Sequence, residues 1–64
     1  MSDIEQLKAE VKRLNAQATS LKMDLHDLSE ELPRDWERIP DIAGRAFAAY
    51  RDLAAARQAL AAAS

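Results

Sequence analysis

The sequence predicts an all-α protein, in which an antiparallel two-helix hairpin dimerises into a four-helix bundle. Apolar residues recur at alternating spacings of three and four residues over the first half of the chain, and a second such pattern occupies the second half. A short segment bracketed by two prolines separates them, and a connection of that length makes two long helices antiparallel neighbours. We expect one domain over residues 1–64, with helices over about 3–32 and 40–62 and a connection over 33–40.

Helix 1 has a defined start, a periodic interior and a defined end. Ser2 and Glu5 form a capping box, in which each side chain can satisfy a free backbone N–H of the first turn. Pro33 ends the helix because proline lacks a hydrogen-bond donor and disfavours helical geometry in the residue before it. Between them, nine consecutive heptad a and d positions are apolar: Ile4, Leu7, Val11, Leu14, Ala18, Leu21, Leu25, Leu28 and Leu32.

The heptad positions that flank this seam carry opposite charges. The g positions are Glu10, Gln17, Asp24 and Glu31, and the e positions are Lys8, Asn15, Lys22 and Ser29. Acid on one flank and base on the other suits pairs that set the register across a helix interface. Each exposed pair contributes only about 0.2–1 kcal/mol, so these charges select the partner more than they stabilise the fold.

Helix 2 begins near Pro40, whose missing N–H costs nothing in the first turn, and it carries two neighbouring apolar stripes. The first stripe is Ile39, Ile42, Ala46, Ala49, Leu53, Ala56 and Leu60. The second stripe is Ala43, Phe47, Tyr50, Ala54 and Ala61. This apolar face is broader than a two-helix seam requires. Glycine costs about 1 kcal/mol in a helix, so Gly44 is expected to mark a tight crossing.

Oligomerisation is the expected source of stability, because a chain of 64 residues buries little apolar surface alone. The chain has no cysteine and one histidine, which excludes disulfides, thiolate metal sites and a multi-histidine metal cage. The expected oligomer core is drawn from both helices and consists of Ile4, Leu7, Val11, Leu14, Ala18, Leu21, Leu25, Leu28, Leu32, Ile42, Ala46, Ala49, Leu53, Ala56 and Leu60.

The competing arrangement is a parallel two-stranded coiled coil of helix 1. Isoleucine and valine at a, with leucine at d, suit such a pair. The short proline-bounded connection and the second stripe of helix 2 favour the bundle instead. The choice between dimer and tetramer, and the relative direction of the two hairpins, stay open at this point.

Composition and charge exclude several classes of function. Eleven acidic against nine basic residues leave a formal charge of −2, which gives no general attraction to nucleic acid or to an anionic membrane. No apolar run approaches the ~20 residues of a membrane span, and Met1-Ser2-Asp3 does not begin a signal peptide. The sequence contains neither a glycine-rich phosphate loop nor a nucleophile–base motif. We expect a cytoplasmic protein that is not an enzyme and needs no cofactor.

Three residues of helix 1 are weak candidates for a metal site: His26, Glu30 and Asp27. His26 and Glu30 share a helix face at a spacing of four residues, so they could hold a divalent ion if a second chain supplied further ligands. One imidazole and one carboxylate are a sparse ligand set, and a solvated acidic face is the preferred interpretation.

The aromatic residues suit either a buried core or an exposed contact with a partner. Trp36, between the prolines, is expected to plug the end of the bundle against Leu32 and Ile39, and the alternative is an exposed anchor for another protein. Phe47 and Tyr50 lie on the second stripe, where they suit either an oligomer core or a docking patch.

The run from Leu21 to Pro33, followed by Asp35-Trp36-Glu37 and Ile39-Pro40, resembles the small Rop-like proteins encoded among bacterial nitrogen-fixation genes. The biochemical role of that family is unknown, and residues 22–28 (Lys-Met-Asp-Leu-His-Asp-Leu) are the distinctive part of the match. The resemblance implies a helical hairpin that dimerises into a four-helix bundle, and a link to nitrogenase production or maintenance. It supplies no catalytic residues. Together with the second stripe it selects these candidate partner contacts: Met23, Asp24, His26, Asp27, Trp36, Phe47 and Tyr50.

The leading hypothesis is therefore a non-enzymatic, homo-oligomeric helical module that binds protein components of the nitrogenase system. An RNA-binding bundle, like the plasmid protein Rop, is the alternative from another class, and a divalent-metal carrier is a third. Acidic residues interrupt both groups of basic residues, so nucleic-acid binding is disfavoured.

Overall fold

Two α-helices and the turn between them make up the part of the chain that the computed structural model describes, residues 2–63. Helix α1 spans Ser2–Glu31 and helix α2 spans Ile39–Ala63, with a 3₁₀ turn at Trp36–Arg38 between them. No strand occurs within residues 2–63, and the all-α prediction is confirmed. The expected capping box depends on the side chain of Ser2, which lies outside the described side chains.

The two helices run antiparallel side by side and form a thin rod. Its principal extents are 50 × 14 × 12 Å. The radius of gyration, 14.7 Å, exceeds the ~11 Å of a compact chain of the same length, because the hairpin is only two helices across. The predicted helical hairpin is confirmed.

The core of the hairpin lies along the seam between the helices. Leu53 is its largest side chain with almost no exposure, at 2%, and Ala18 opposite it on α1 is fully buried. Small residues at these positions let the two backbones approach closely, which is why helix 2 tolerates so many alanines on its inner face. Eight of the fifteen expected oligomer-core residues are buried in the hairpin: Leu14, Ala18, Leu28, Ile42, Ala46, Ala49, Leu53 and Ala56.

The other seven expected core residues are not buried by the hairpin. Six of them keep intermediate exposure, namely Ile4, Leu7, Val11, Leu21, Leu25 and Leu60. Leu32 is exposed. One chain therefore buries only part of the apolar heptad residues of α1, because a single neighbouring helix covers one side of that helix.

The connection is a tight turn built around one left-handed residue. Asp35 has φ 58° and ψ 29°, a conformation that aspartate tolerates better than most non-glycine residues. The N–H of Arg34 donates to the carbonyl oxygen of Glu31, and that of Arg38 donates to the carbonyl oxygen of Asp35, each at 2.9 Å. These two bonds close the end of α1 and start the 3₁₀ turn.

The expected tryptophan plug is wrong for the hairpin. Trp36 is 60% exposed, and its expected neighbours Leu32 and Ile39 are exposed as well. The left-handed residue and the 3₁₀ turn end the hairpin without folding the indole back over the seam, so the exposed-anchor interpretation fits this residue.

The expected tight crossing at Gly44 is also wrong. A Cβ placed on this residue would meet no neighbouring heavy atom within 4 Å. Gly44 lies on the exposed side of α2, two residues from the nearest buried positions, Ile42 and Ala46. The close approach of the helices depends on the alanines of the seam instead.

Candidate protein-interaction surface

Two edges flank the seam of the hairpin, and they differ in chemistry. On one side, Arg38, Arg45 and Asp52 recur every seven residues along α2, so they share one helix face. They line grooves with residues of α1, among them Asp24, Asp27 and Glu31. We call these six residues the charged edge.

The opposite edge carries large apolar side chains beside polar ones. Arg57 of α2 donates from Nη2 to Oδ1 of Asn15 across the seam at 3.2 Å, which places both residues at this edge. Tyr50 precedes Arg57 by seven residues, so it lies on the same face of α2, and Phe47 lies beside it one turn earlier. Ser29 follows Asn15 by fourteen residues and therefore lies at the same edge of α1.

A groove near the closed end continues this apolar surface. It has a volume of about 170 Å³ and is lined by Leu25, Leu28, Ser29, Leu32 and Ile39. We call the residues that carry the apolar character of this side the apolar edge: Leu25, Leu32, Ile39, Phe47 and Tyr50.

Exposed large apolar side chains are concentrated on that edge. Six such side chains are exposed within residues 2–63: Met23, Leu32, Trp36, Ile39, Phe47 and Tyr50. Four of the six belong to the apolar edge, and Phe47 is the most exposed at 69%. The charged edge contributes none. An exposed apolar surface concentrated on one side of a rod is typical of a protein-binding face.

The seven candidate partner contacts do not form one patch. Asp24 and Asp27 lie on the charged edge, whereas Phe47 and Tyr50 lie on the apolar edge. His26 and Met23 are both exposed residues of α1, and Met23 lies on the side of the helix opposite the seam. Trp36 stands at the closed end of the hairpin.

The weak metal candidates remain a pair. Nε2 of His26 lies 3.4 Å from Oε2 of Glu30, and both side chains are well exposed. Asp27 lines the groove on the charged edge instead. Across the described range, no three His, Cys, Asp or Glu side chains are grouped closely enough to hold a metal ion. Ser29 donates from Oγ to the carbonyl oxygen of His26 at 2.8 Å, a local bond within α1.

Three arginines of the surface pair with acids of their own helix. Arg13 binds Glu10 through two bonds of 2.8 and 3.2 Å, and the hydrogen bond and then the charge of Glu10 raise the pKa of the guanidinium. Arg45 lies 3.3 Å from Asp41, and Arg51 lies 3.1 Å from its neighbour Asp52. A basic surface for nucleic acid needs cations without acids between them, so these pairs disfavour that function.

Among residues 3–63, no polar or charged side chain is buried. Neither helix of the described range has an apolar stretch long enough to cross a membrane.

Sequence reasoning identified the apolar residues of this surface but not their division into two edges. The signal was present in the spacing of seven: Arg38, Arg45 and Asp52 recur on one flank of the α2 seam, and Ala43, Tyr50 and Arg57 on the other. The residues that flank the α2 seam therefore carry the sequence signal for the charged edge.

Comparison with known proteins finds relatives that match most of this chain. A UPF0437 protein of Azorhizobium caulinodans is 48% identical over 94% of this chain and 87% of its own length. A protein of Frankia alni is named a UPF0437 protein in the nifX–nifW intergenic region, and it is 48% identical over 69% of this chain and 54% of its own. A third relative, from Nostoc, is 42% identical over 92% of this chain.

The fold has a solved counterpart. An NMR structure from the Northeast Structural Genomics Consortium aligns with a TM-score of 0.82 and 55% sequence identity, over 91% of this chain and 82% of its own. The profile of the Rop-like family matches residues 2–64, which is nearly the whole sequence. With its helical hairpin and these relatives, the chain belongs to the Rop-like family.

Proposed function

We propose that this chain is a non-enzymatic accessory protein of nitrogen fixation in the cytoplasm. In this role it acts as a homo-oligomeric helical module that binds protein components of the nitrogenase system. The relative from Frankia alni supports the biological setting, because its name places its gene between nifX and nifW. The exposed apolar surface supports the proposed binding to other proteins. The observation that carries the proposal is the concentration of exposed apolar side chains on one edge of the hairpin.

The exposed area supports self-association. The chain has a solvent-accessible surface of 4901 Å², whereas a compact monomer of 7.1 kDa exposes about 4,100 Å². The excess of about 800 Å² equals what one partner contributes to a standard protein–protein interface. A second copy could therefore cover the surface that a two-helix rod leaves open.

Features outside the apolar edge are available for a different protein. Trp36 at the closed end and Met23 on the outer side of α1 are both more than half exposed. Tryptophan is enriched among the residues that dominate binding energy, so Trp36 is the first residue to test.

Sedimentation equilibrium at micromolar concentration tests self-association. We expect a mass of at least twice 7.1 kDa. A folded monomer at that concentration would contradict the proposal.

Affinity capture from nitrogen-fixing cells tests the partner. We expect the wild type to retain a nitrogenase-related protein identified by mass spectrometry, and Trp36→Ala to lose most of it, since the indole supplies a large exposed contact surface. Gln58→Ala is the matched control, because Gln58 is an exposed residue of α2 outside both edges. Equal capture by wild type and Trp36→Ala, or no nitrogenase-related protein with either, would count against this role.

A further inference from the structure

We infer that the second half of α1 carries a docking surface for a basic amphipathic helix of another protein. This surface, the acidic face, consists of Asp24, Asp27, Glu30 and Glu31, with the exposed side chain of Met23 beside them. The inference rests on the proposed binding of other proteins and deepens it, because it names a surface and the chemistry of the partner.

Asp27 stands at the centre of the acidic face. Met23 and Asp24 precede it by four and three residues, and Glu30 and Glu31 follow it by three and four. Residues at these spacings are direct neighbours on a helix, with about 5–6 Å between their Cβ atoms. All five side chains are exposed, so the hairpin leaves this surface open to solvent.

The negative charge of the chain is concentrated in this segment. Residues 23–32 contain four acids and no lysine or arginine, whereas the rest of the chain has seven acidic against nine basic residues. Elsewhere on the surface, three acids pair with arginines at 2.8–3.3 Å. Within residues 3–63, Asp24, Asp27 and Glu31 form no such ion pair. These three carboxylates therefore remain available to the cations of a partner.

The same charges destabilise the free helix. Asp27 has like charges at both of its spacings along α1, and like-charged pairs four residues apart are unfavourable. The last turn of α1 contains no basic residue, although the helix dipole favours cations there. Cations of a partner placed against the acidic face would relieve both effects. Local features that lower the stability of the free protein in this way are expected at functional sites.

Apolar contacts accompany the charges. Met23 is 55% exposed on the side of α1 opposite the seam, so α2 does not cover it. Three acids of the face also line a groove of about 270 Å³ that has the buried Leu28 and Ile42 in its lining. The aliphatic stem of a lysine or arginine can lie on such a lining while its charged head reaches the carboxylates. A helix with both basic and apolar side chains therefore fits this surface.

Other occupants fit the acidic face less well. A second copy of the face would set like charges against each other, and nucleic acids carry negative charge as well. Across the described residues, no three His, Cys, Asp or Glu side chains are grouped closely enough to hold a metal ion. The carboxylates are instead spread along the helix, which suits the several separate cations on one side of a partner helix.

Fluorescence anisotropy with a labelled peptide tests the acidic face directly. The probe is a synthetic helical peptide of about 18 residues, with lysine on one side and leucine on the other. We expect saturable binding to the wild type in about 0.15 M salt, where charges more than about 8 Å apart are largely screened. The same peptide with glutamate in place of lysine should bind far more weakly.

The variant Asp27→Asn/Glu31→Gln removes two unpaired charges with almost no change in side-chain size. We expect the Kd of the lysine peptide to rise at least about fivefold. The Tm of the free protein should rise by about 2 °C or more, because like charges near the C-terminal end of α1 are gone. If these acids served the fold instead, the Tm would fall. Met23→Gln should also raise the Kd, at least about twofold, through the loss of apolar contact.

The matched control is Glu5→Gln/Glu10→Gln, which removes the same charge about 25 Å or more from Asp27 along α1. Glu5 lies in the first turn, where the helix dipole favours an acid, and Glu10 pairs with Arg13 at 2.8 Å. We therefore expect no rise in Tm and less than about a twofold change in Kd.

Four results would each overturn the inference. They are no saturable binding of the lysine peptide, equal weakening by the two double variants, an unchanged Kd in Met23→Gln, and loss of the wild-type oligomer in Asp27→Asn/Glu31→Gln. The last result would assign the acidic face to contacts between copies.

Affinity capture from nitrogen-fixing cells separates this inference from the proposed function. If the wild type and Asp27→Asn/Glu31→Gln retain equal amounts of a nitrogenase-related protein, the proposed function stands and the acidic face is not its docking surface. If the wild type retains no such protein, the proposed function fails, and the peptide titration still decides whether the acidic face binds a basic helix.

Discussion

At the scale of single residues, side chains at equivalent heptad positions differ widely in how deeply the hairpin buries them. Leu53 and Leu32 both occupy inward heptad positions, yet Leu53 is nearly inaccessible and Leu32 is 41% exposed. The difference arises because Leu53 packs in the middle of the seam with Leu14, Ala18 and Ala49, whereas Leu32 lies past the end of α1. A substitution of Leu53 should therefore act on the folding of the hairpin, whereas a substitution of Leu32 should act on its self-association.

Leu53→Ala should lower the free energy of unfolding by about 2–5 kcal/mol, because it removes buried methyl groups and leaves a cavity against Leu14 and Ala18. Urea unfolding followed by circular dichroism, at one fixed chain concentration, measures the change. Gln58→Ala, an exposed control on the same helix, should shift the free energy by less than about 0.5 kcal/mol. Equal effects of the two substitutions would contradict the assigned core.

Gly44→Ala should raise the free energy of unfolding by about 0.5–1 kcal/mol, since alanine is the better helix former and its Cβ meets open space. The same urea experiment measures this gain. Ala18→Gly, in the centre of the seam, should have the opposite sign because it removes a packed methyl group as well as helix propensity. A loss of stability on Gly44→Ala would mean that another backbone approaches α2 at this point.

At the scale of elements, the turn decides how the two helices meet. Two prolines predicted that the chain breaks between residues 33 and 40. Helix α1 ends two residues before this region, at Glu31, and α2 begins within it, at Ile39. The left-handed conformation of Asp35 was not predicted, because aspartate populates several turn conformations and nothing in its neighbours selects one. The exposed position of Trp36 follows from that geometry.

Asp35→Val should destabilise the hairpin by about 1–2 kcal/mol, because a β-branched side chain clashes with the backbone when φ is positive. Thermal unfolding at fixed concentration measures the effect as a lower Tm. Asp35→Gly is the matched control and should stay close to the wild type, since glycine adopts this conformation without strain. A drop of the same size for glycine and valine would show that the carboxylate matters instead.

At the scale of the whole molecule, the thin rod leaves the large apolar side chains of one edge exposed to solvent. Each helix is covered by one neighbour, and five inward residues of α1 keep intermediate exposure: Ile4, Leu7, Val11, Leu21 and Leu25. The rod is only 14 Å wide, so the seam makes up its interior and the proposed partners would bind its outer surface. The apolar edge and the exposed Trp36 are the parts of that surface best suited to other proteins.

Leu32→Glu should weaken self-association at least tenfold, because the dimer would bury an unpaired charge that the single hairpin leaves in water. Sedimentation equilibrium across a range of concentrations measures the dissociation constant. Met23→Glu is the control, because Met23 is 55% exposed and lies away from both edges of the seam. If both substitutions weaken the dimer equally, the apolar edge is not the interface.

The sequence by itself determined that this protein is helical, where its two helices lie, and that they fold back on each other. Those features follow from local causes: an unbroken heptad, helix-forming residues and prolines at the break. It also identified the inward residues of both helices. Only the tertiary structure decided which of them one chain buries, since a heptad marks every inward position alike, whichever helix covers it. The two edges combine residues of both helices, so their grooves form only when α1 and α2 are placed side by side. The separation of these edges directs the proposed function.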